Sequence, residues 1–454
     1  MNNTRKYDDI VIGFGKGGKT IAGALANAGR KVAVIEKSQK MYGGTCINVG
    51  CIPTKSLVHS AGIAAVGCKE QDLAYQAAIE RKGKLVEKLR GKNYHKLADH
   101  PNISVIDGTA SFVSPYEIQV QTPDELLHLE GERFYINTGS APYVPPIPGL
   151  EENPYVYVSE TLLDLQERPE RMVIIGGGYI GVEFASIYSD FGTKVTVVQD
   201  GEVFLPREDG EIAEAVLKTL ESGNVQVLKS VQVQEIRKNQ GFAEVVLKSG
   251  EETVVLPAEA VLVATGRRPN TKELHLEKAG VEVDRRGGII TDETRTTTVP
   301  HIFAMGDVVG GLQFTYVSLD DYRIVRSKVL GDGSYTLNDR RAVPYSVFLN
   351  PPFSRVGMSE KEAQEAGYKV KIAKLPAAAI PKAQVLEKPE GLLKAVIDEK
   401  TGKILGAHLF CEESHELINL VKVAMDAELH YTVLRDMIFT HPTMGEALND
   451  LFQI

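Results

Sequence analysis

The chain has 454 residues, of which 43% are apolar and 24% charged, and it carries a formal net charge of −9. That length accommodates about three domains, each with its own core, and the apolar content excludes a disordered chain. The acidic balance argues against a broad nucleic-acid footprint, and no stretch approaches the ~18 uninterrupted apolar residues of a spanning helix.

Neither nucleic acid nor membrane is therefore an expected partner. The start "MNNTRKYDD" is polar and the apolar run from Ile10 is short, unlike the core of a signal peptide, so a cytoplasmic location is expected. The first predicted elements lie in "DDIVIGFGKGGKTIAGALANAGRKVAVIEK" (8–37): a β-branched strand, a glycine cluster, a helix-period stretch and a second strand. Gly13, Gly15 and Gly18 form G-x-G-x-x-G directly after the strand. Such glycines permit a tight turn, close approach of backbone to a pyrophosphate, and close helix–strand packing. Glu36 ends the second strand, where a carboxylate can accept hydrogen bonds from a ribose.

Next comes "GGTCINVGCIPTK" (43–55), which holds two of only four cysteines, Cys46 and Cys51. Structural disulfides are rare in the cytosol, so a pair there points to catalysis or metal binding. A zinc site needs two more ligands at suitable spacing, and Cys68 and Cys411 stand alone. A redox pair fits better. Disulfide geometry brings Cα atoms to ~4.4–6.8 Å, so "INVG" must be irregular, with Gly50 helping it fold back. Pro53 suits the first turn of a helix running through "TKSLVHSAGIAAV". Cys51 then lies near a helix N-terminus, which favours a thiolate, and Lys55 lies one turn further on the same face. His59 continues that face and is expected to be a packed histidine.

Residues 73–97 read as a charged helix, 103–136 as strands, and the proline-rich "SAPYVPPIPG" (140–149) as a linker. A second β-α-β unit follows in "ERMVIIGGGYIGVEFASIYSDFGTKVTVVQD" (170–200), with Gly176, Gly178 and Gly181 after its strand. Gln199 occupies its acid position, without a nearby arginine for a 2′-phosphate, and NADH is favoured over NADPH on that ground. Short strands, "AVLVATGRRPN" (260–270) and "PHIFAMGDVVGG" (300–311) come next. From 338 onward strands and amphipathic helices recur without a glycine fingerprint, as in a separate domain.

"GGTCINVGCIPTK" closely resembles the redox-active segment of the flavoprotein (pyridine nucleotide) disulfide oxidoreductases, whose members include lipoamide dehydrogenase, glutathione reductase and mercuric reductase. The resemblance spans the chain through "GFGKGGK", "NTGS" (137–140), "GGGYIGVEFA" (176–185), "ATGRRPN" (264–270), "IFAMGD" (302–307) and "HPTMGEA" (441–447). It implies an α/β fold of two Rossmann-like dinucleotide-binding domains, as in glutathione reductase, plus a C-terminal α+β dimerisation domain. The FAD-binding domain would comprise 1–147 and 267–337, the NAD(P)H-binding domain 148–266, and the interface domain of a homodimer 338–454.

The same resemblance implies the site. FAD would meet Gly13, Gly15, Gly18, Glu36, Lys37, Gly44, Thr45, Lys55, Ala110, Thr138, Gly139, Gly306 and Asp307, with Asp307 on the ribityl chain. NADH or NADPH would meet Gly176, Gly178, Tyr179, Ile180, Gly181, Glu183, Gln199 and Gly266, with Tyr179 as an aromatic gate. Electrons would pass to a Cys46–Cys51 disulfide, Cys51 nearer the flavin and Cys46 exchanging with the acceptor. Glu183 would pair with Lys55, and His441 with Glu446 would serve Cys46 of the other subunit as an acid–base pair. One departure stands out: after "GDVVGG" the chain reads "LQFTYVSLDDYR", so Gln313, Phe314 and Thr315 would face the flavin's pyrimidine side in an altered way.

Several stretches, among them "KMYGGTC", "GGLQFTYVSLDDYRIV" and "FTHPTMGEALNDLF", are similar to a reactive-chlorine resistance group of that family described as copper(II) reductases. This implies Cu(II) as an electron acceptor, with a thiolate pair as a landing site for copper. The alternatives are a lipoamide- or glutathione-type disulfide reductase and a flavin-based redox sensor. "EALNDLFQI" holds no cysteine, so a C-terminal exchange pair is not expected, and no dedicated metal site is assigned.

Overall fold

β1 (Arg5–Ile12) ends in Ile10, Val11 and Ile12, all buried, the continuous apolar run of a strand covered on both faces. The computed structural model, which describes residues 4–454, continues through α1 (Lys16–Asn27) into β2 (Val32–Glu36). α1 buries Ile21, Ala22, Leu25 and Ala26, a stripe at helical spacing, while β1 and β2 pair in parallel with Ile12 opposite Ile35. The expected β-α-β unit is present.

Beyond it run α2 (Thr45–Asn48), α3 (Cys51–Ala65) and α4 (Gln71–Ala98), then β3 (Ile103–Asp107), β4 (Thr109–Ser114), β5 (Glu117–Gln121) and β6 (Leu126–Ile136). The sheet order is β3-β2-β1-β6-β5-β4, and Ile302–Ala304 adds a seventh strand parallel to β6. The segment between the two cysteines is more regular than its sequence implies. Thr45–Asn48 makes one helical turn, and only Val49 and Gly50 interrupt before Cys51 opens α3. His59 is exposed, not packed, because α3 buries Leu57, Ser60, Ala61 and Ala64 on its other side.

The chain divides into two compact units. The first holds the chain through Ser56, Ile79–Tyr143 and Gly266–Arg340; the second holds Leu57–Ala78, Val144–Thr265 and Arg341–Ile454. In the proline-rich stretch expected to be a linker, Ser140–Pro142 forms a short strand antiparallel to Arg267–Pro269.

The second unit repeats the first plan. Arg171–Ile175, the helix Tyr179–Asp190 and Lys194–Val198 make a second parallel β-α-β, within a five-stranded parallel sheet flanked by a three-stranded antiparallel one. Its C-terminal part is a five-stranded antiparallel sheet covered by helices, with a core that includes Val356, Leu393, Leu409, Leu417, Val421, Leu448 and Phe452. The α/β class with an α+β C-terminal part is thus the observed architecture.

One buried side chain organises the first unit. Asn137, 6% exposed, follows β6; its Oδ1 accepts from Gly18 N at 2.9 Å, and its Nδ2 donates to Met305 O at 2.6 Å and to Ser318 Oγ at 3.3 Å. A Cβ on Gly13 would fall 2.3 Å from Asn137 O, and one on Gly15 would fall 2.5 Å from its Oδ1. Gly15 admits this side chain, and Gly13 admits the backbone carbonyl of the same residue. Asn137→Ala would leave a buried N–H and a buried C=O unpaired, and a loss of roughly 2–4 kcal/mol in unfolding free energy is expected. Urea unfolding of the flavin-loaded protein measures it; a loss below ~1 kcal/mol would contradict this role.

Candidate active site

The turn between β1 and α1 is shaped to receive a phosphate. Gly15 starts α1 without a side-chain cap, and no acidic residue occupies the first turn, so its N-terminal N–H groups carry partial positive charge. Gly17 N and Gly18 N are taken by Ser318 Oγ and Asn137 Oδ1. Glu36 closes β2 as expected and reaches back to the same turn: Oε2 accepts from Phe14 N at 3.1 Å, and Oε1 from Ser38 N at 3.2 Å. Burial raises its pKa, and these backbone donors oppose the shift.

Asp307 lies in the turn after Ile302–Ala304. Ser140 Oγ donates to its carboxylate at 2.8 Å, and Arg267 Nε donates to Ser140 Oγ at 2.9 Å. Burial pushes Asp307 up, against the Ser140 hydrogen bond and the Arg267 charge. The preceding Gly306 has φ +74° and donates its N–H to Asp321 at 2.7 Å, and Asp321 is itself held by Arg295 at 2.9 Å and by Arg340. Thr138 and Asn270 clasp each other, Thr138 Oγ1 donating to Asn270 O at 2.7 Å. Gly139 at φ +70° leaves open space beside its Cα, and Ala110 is buried in β4. Lys37 is drawn into an exposed ion pair with Glu273 at 2.8 Å. These groups fit a dinucleotide: the positive end of α1 for a pyrophosphate, and recessed carboxylates at Glu36 and Asp307 for hydroxyls.

The thiol pair adjoins that turn because two glycines meet. A Cβ on Gly44 would lie 2.6 Å from Gly15 Cα, and Gly44 has φ +82°, so only glycine lets the cysteine segment come this close. Thr45 follows as the first residue of α2. Both cysteines are free thiols. Cys51 begins α3, and its Sγ lies 3.6 Å from Thr315 Oγ1, at the start of the helix Thr315–Leu330.

The two thiols are strongly unequal. A hydrogen bond from Cys46 pulls Cys51 below the ordinary thiol range despite burial, helped by the Thr315 hydroxyl and the Lys55 charge. The same hydrogen bond, with burial, pushes Cys46 up. Phe314 stacks on Tyr316 at 5.2 Å between centroids, and Gln313 precedes them in the same loop. Thr315 thus turns toward the thiols, a placement that its sequence context did not predict. Cys411 is buried, which pushes its thiol up to about 12, and the exposed Cys68 thiol donates to Glu70 O at 3.5 Å.

In the second unit Gly176 has φ +114°, and a Cβ on Gly181 would lie 2.0 Å from Gly176 O, the close helix–strand packing expected. Gly178 starts its helix uncapped and faces open space, followed by Tyr179 and Ile180 in the first turn. Gln199 bends back over this loop, its Nε2 donating to Gly201 O at 2.7 Å and Val203 O at 3.1 Å, which turns its Oε1 toward Gly177. Tyr179 and Tyr345 both donate to Glu208, Tyr345 at 2.6 Å, and their hydroxyl oxygens lie 3.3 Å apart. Burial and the Glu208 charge raise Tyr179 to about 12. Glu183 is buried and accepts from Phe348 N at 3.4 Å.

In the first unit Gly266 has φ +114° with free space beside it. His441 Nδ1 meets Glu446 Oε2 at 2.8 Å, with the His441 side chain 71% exposed and the carboxylate largely covered. Sequence patterns alone assign no role to Asn137, Ser140, Ser318, Arg267 and Asp321. Their partners are far along the chain, and only the motifs "NTGS", "ATGRRPN" and "LQFTYVSLDDYR" that contain them offer a local signal.

This combination is matched by a family model for pyridine nucleotide-disulphide oxidoreductases over residues 7–321, and by the dimerisation domain of the same family over 343–452. The chain belongs to the pyridine nucleotide-disulphide oxidoreductase family. It is 51% identical over 449 residues to the probable pyridine nucleotide-disulfide oxidoreductase RclA of Escherichia coli (strain K12), covering 99% of both chains. A mercuric reductase of Staphylococcus aureus is 34% identical over 457 residues, covering 99% of this chain and 82% of the relative. The solved structure of a Cu(II) complex of the HOCl-induced flavoprotein disulfide reductase RclA from Escherichia coli superposes with a TM-score of 0.94 at 50% identity, covering 99% of each chain. Membership implies FAD and a pyridine nucleotide, and the C-terminal match a homodimer. Among the described residues no helix is long and apolar enough to cross a membrane.

Because Cys51 is depressed, its thiolate persists above a low pKa and is lost as pH falls through it. In the anaerobically reduced protein the ultraviolet thiolate absorbance is expected to titrate in a first step well below the ~8.5 of free cysteine. Lys55→Met should move that step upward. A single step at the free-cysteine value would contradict the inequality of the two thiols.

Proposed function

We propose that the protein is an NAD(P)H-oxidising flavoenzyme that reduces Cu(II) to Cu(I) through the Cys46–Cys51 pair, in defence against reactive chlorine. The observation that carries this reading is the unequal thiol pair at the fingerprint turn, in a chain half identical to a protein solved as a Cu(II) complex. When bound, FAD and NAD(P)H would supply the hydride chemistry and deliver two electrons to the disulfide. The uncapped start of α1, with Glu36 and Asp307, would hold the FAD, and the uncapped start of the Tyr179 helix the nicotinamide nucleotide. The assignment of 1–147 with 267–337 to FAD, 148–266 to NAD(P)H and 338–454 to the dimer interface belongs to the same proposal.

The chain's own residues divide the remaining work. Cys51, at a helix N-terminus with Lys55 one turn away, holds negative charge in the dithiol state. Cys46 stays protonated and meets the acceptor. Reoxidation is balanced when two Cu(II) ions each take one electron, the S–S bond re-forms and the thiol proton is released. Soft thiolate sulfur favours Cu(I) as it forms. Among the described residues no group of three or more His, Cys, Asp or Glu is arranged to hold a metal ion, so copper enters this scheme as substrate. His441, oriented by Glu446 and largely exposed, is suited to hold or accept that proton across a dimer interface. Gln199, which offers no positive charge to a 2′-phosphate, favours NADH, and the cytoplasm is the compartment that supplies it.

The test is anaerobic stopped-flow reduction with NADH, followed by mixing with Cu(II), lipoamide or oxidised glutathione. Rapid reoxidation by Cu(II) is expected, with a loss of at least ~100-fold in Cys51→Ser while FAD is retained. Wild-type copper reduction in that variant would refute the disulfide route. Faster reoxidation by a disulfide than by Cu(II) would make the protein a dithiol–disulfide reductase. NADH is expected to outperform NADPH in the reductive step; the reverse order would refute the assignment to Gln199.

A further inference from the structure

The helix α4 breaks a rule of helix electrostatics. Between Arg81 and Lys96 it carries seven lysines and arginines against one acid, Glu87, in a chain whose net charge is −9. Lys84, Lys88, Lys92 and Lys96 follow one another at four-residue steps, and all are exposed. Like charges at that spacing face each other and destabilise a helix. Lys84 is relieved by Glu80 at 2.5 Å. Among the described residues Lys88, Lys92 and Lys96 have no ion-pair partner, so three uncompensated cations line about 12 Å of one helix side. A local rule broken without local gain marks positions serving something else.

The stripe runs alongside the cysteine segment, because α4 is fastened to that segment at two points. Arg90 Nε donates to Asn48 Oδ1 at 2.8 Å, and Asn48 stands between Cys46 and Cys51. Asn48 Nδ2 donates in turn to Tyr42 O at 3.0 Å and Gly44 O at 2.9 Å, which ties this fastening to the turn before Cys46. Asn93 meets Gly43, three residues before Cys46: a Cβ on Gly43 would lie 3.3 Å from Asn93 Cγ. Lys19 Nζ, from α1, closes that contact by donating to Asn93 Oδ1 at 2.5 Å and to Gly43 O at 3.3 Å. Lys92 directly precedes Asn93, and Lys96 follows it by three residues, a neighbouring position on the helix surface.

Cations at this place select what reaches the thiols. Bare Cu(II) is itself a dication and is repelled, whereas copper wrapped in carboxylate ligands is an anion and is drawn in. We propose that Lys88, Lys92 and Lys96 form a docking stripe for an anionic electron acceptor, and that Cu(II) reaches the thiols as a carboxylate chelate. This rests on the proposed reduction of Cu(II) by the Cys46–Cys51 pair. The step balances: two chelates each take one electron from the dithiol, the S–S bond forms, the thiol proton is released and each copper leaves as Cu(I).

The experiment uses the FAD-loaded protein, reduced anaerobically with one equivalent of NADH. It is mixed by stopped flow with Cu(II) nitrilotriacetate, an anion, or with Cu(II) bis(ethylenediamine), a dication. Each rate in the triple variant Lys88→Gln, Lys92→Gln and Lys96→Gln is divided by the wild-type rate, which cancels the different potentials of the chelates. At low salt the variant is expected to lose about tenfold with the anion and to gain with the dication. In about 0.5 M salt both ratios are expected to return to about one, because screening removes the interaction. Flavin reduction by NADH should be unchanged, and arginine at the three positions should preserve the wild-type rates. Equal ratios for the two chelates at low salt overturn the proposal, since a stripe that only shapes the fold does not distinguish their charge. If neither chelate oxidises the wild-type protein, the copper reading fails on its own. Oxidised glutathione, an anion, and cystamine, a dication, then replace the chelates: opposite ratios sustain the anionic acceptor, and equal ratios overturn it.

Discussion

The first unit depends on one buried amide. Asn137 supplies an acceptor to the start of α1 and a donor to the carbonyl of Met305, which immediately precedes Gly306 and Asp307. A single side chain thereby fixes the spacing between the fingerprint turn and the Asp307 turn. Its burial makes each of these hydrogen bonds costly to lose. Gly15 follows from it, since a Cβ there would collide with the Asn137 side chain, while Gly13 makes room for the Asn137 backbone carbonyl. Glycine in this fingerprint therefore answers two demands at once: approach of a phosphate and room for the amide.

The chemistry of the thiols grows from the same packing. Gly44 lies against Gly15, so the cysteine segment shares the mouth of the fingerprint turn. Once there, two chemically identical side chains become unequal. Cys51 receives a helix N-terminus, a lysine one turn on and the Thr315 hydroxyl, while Cys46 donates to it and is itself partly covered. The division of labour in a dithiol needs such asymmetry, because the sulfur that holds charge and the sulfur that meets an acceptor must differ.

The second unit applies the same β-α-β plan to a different end. Its helix start also lacks a side-chain cap, and two tyrosine hydroxyls, the Gln199 amide and the covered carboxylate of Glu208 hold its neighbourhood. Gln199 is turned back onto its own loop, and Tyr179 is joined with Tyr345 to one carboxylate, Glu208. Tyr345 stands 166 residues from Tyr179, so that triad belongs to the tertiary structure alone.

Local patterns were enough to read both β-α-β units, the long helix after the cysteines and the change of character near 338. Hydrophobic periodicity and glycine spacing are properties of short windows. The same holds for the thiol pair, whose helix start, Gly50 and Lys55 are contiguous, and for His441 with Glu446, five residues apart. What the sequence could not determine was anything that depends on partners distant in the chain. The helical turn at Thr45–Asn48 is not legible in the sequence because four residues carry no period. The exposure of His59 is not legible in the sequence, because a helix face cannot be assigned to core or solvent until its neighbours are placed. Asn137 and Thr315 look ordinary in their own segments; they acquire meaning from Met305 and Cys51, which only the folded chain brings within reach.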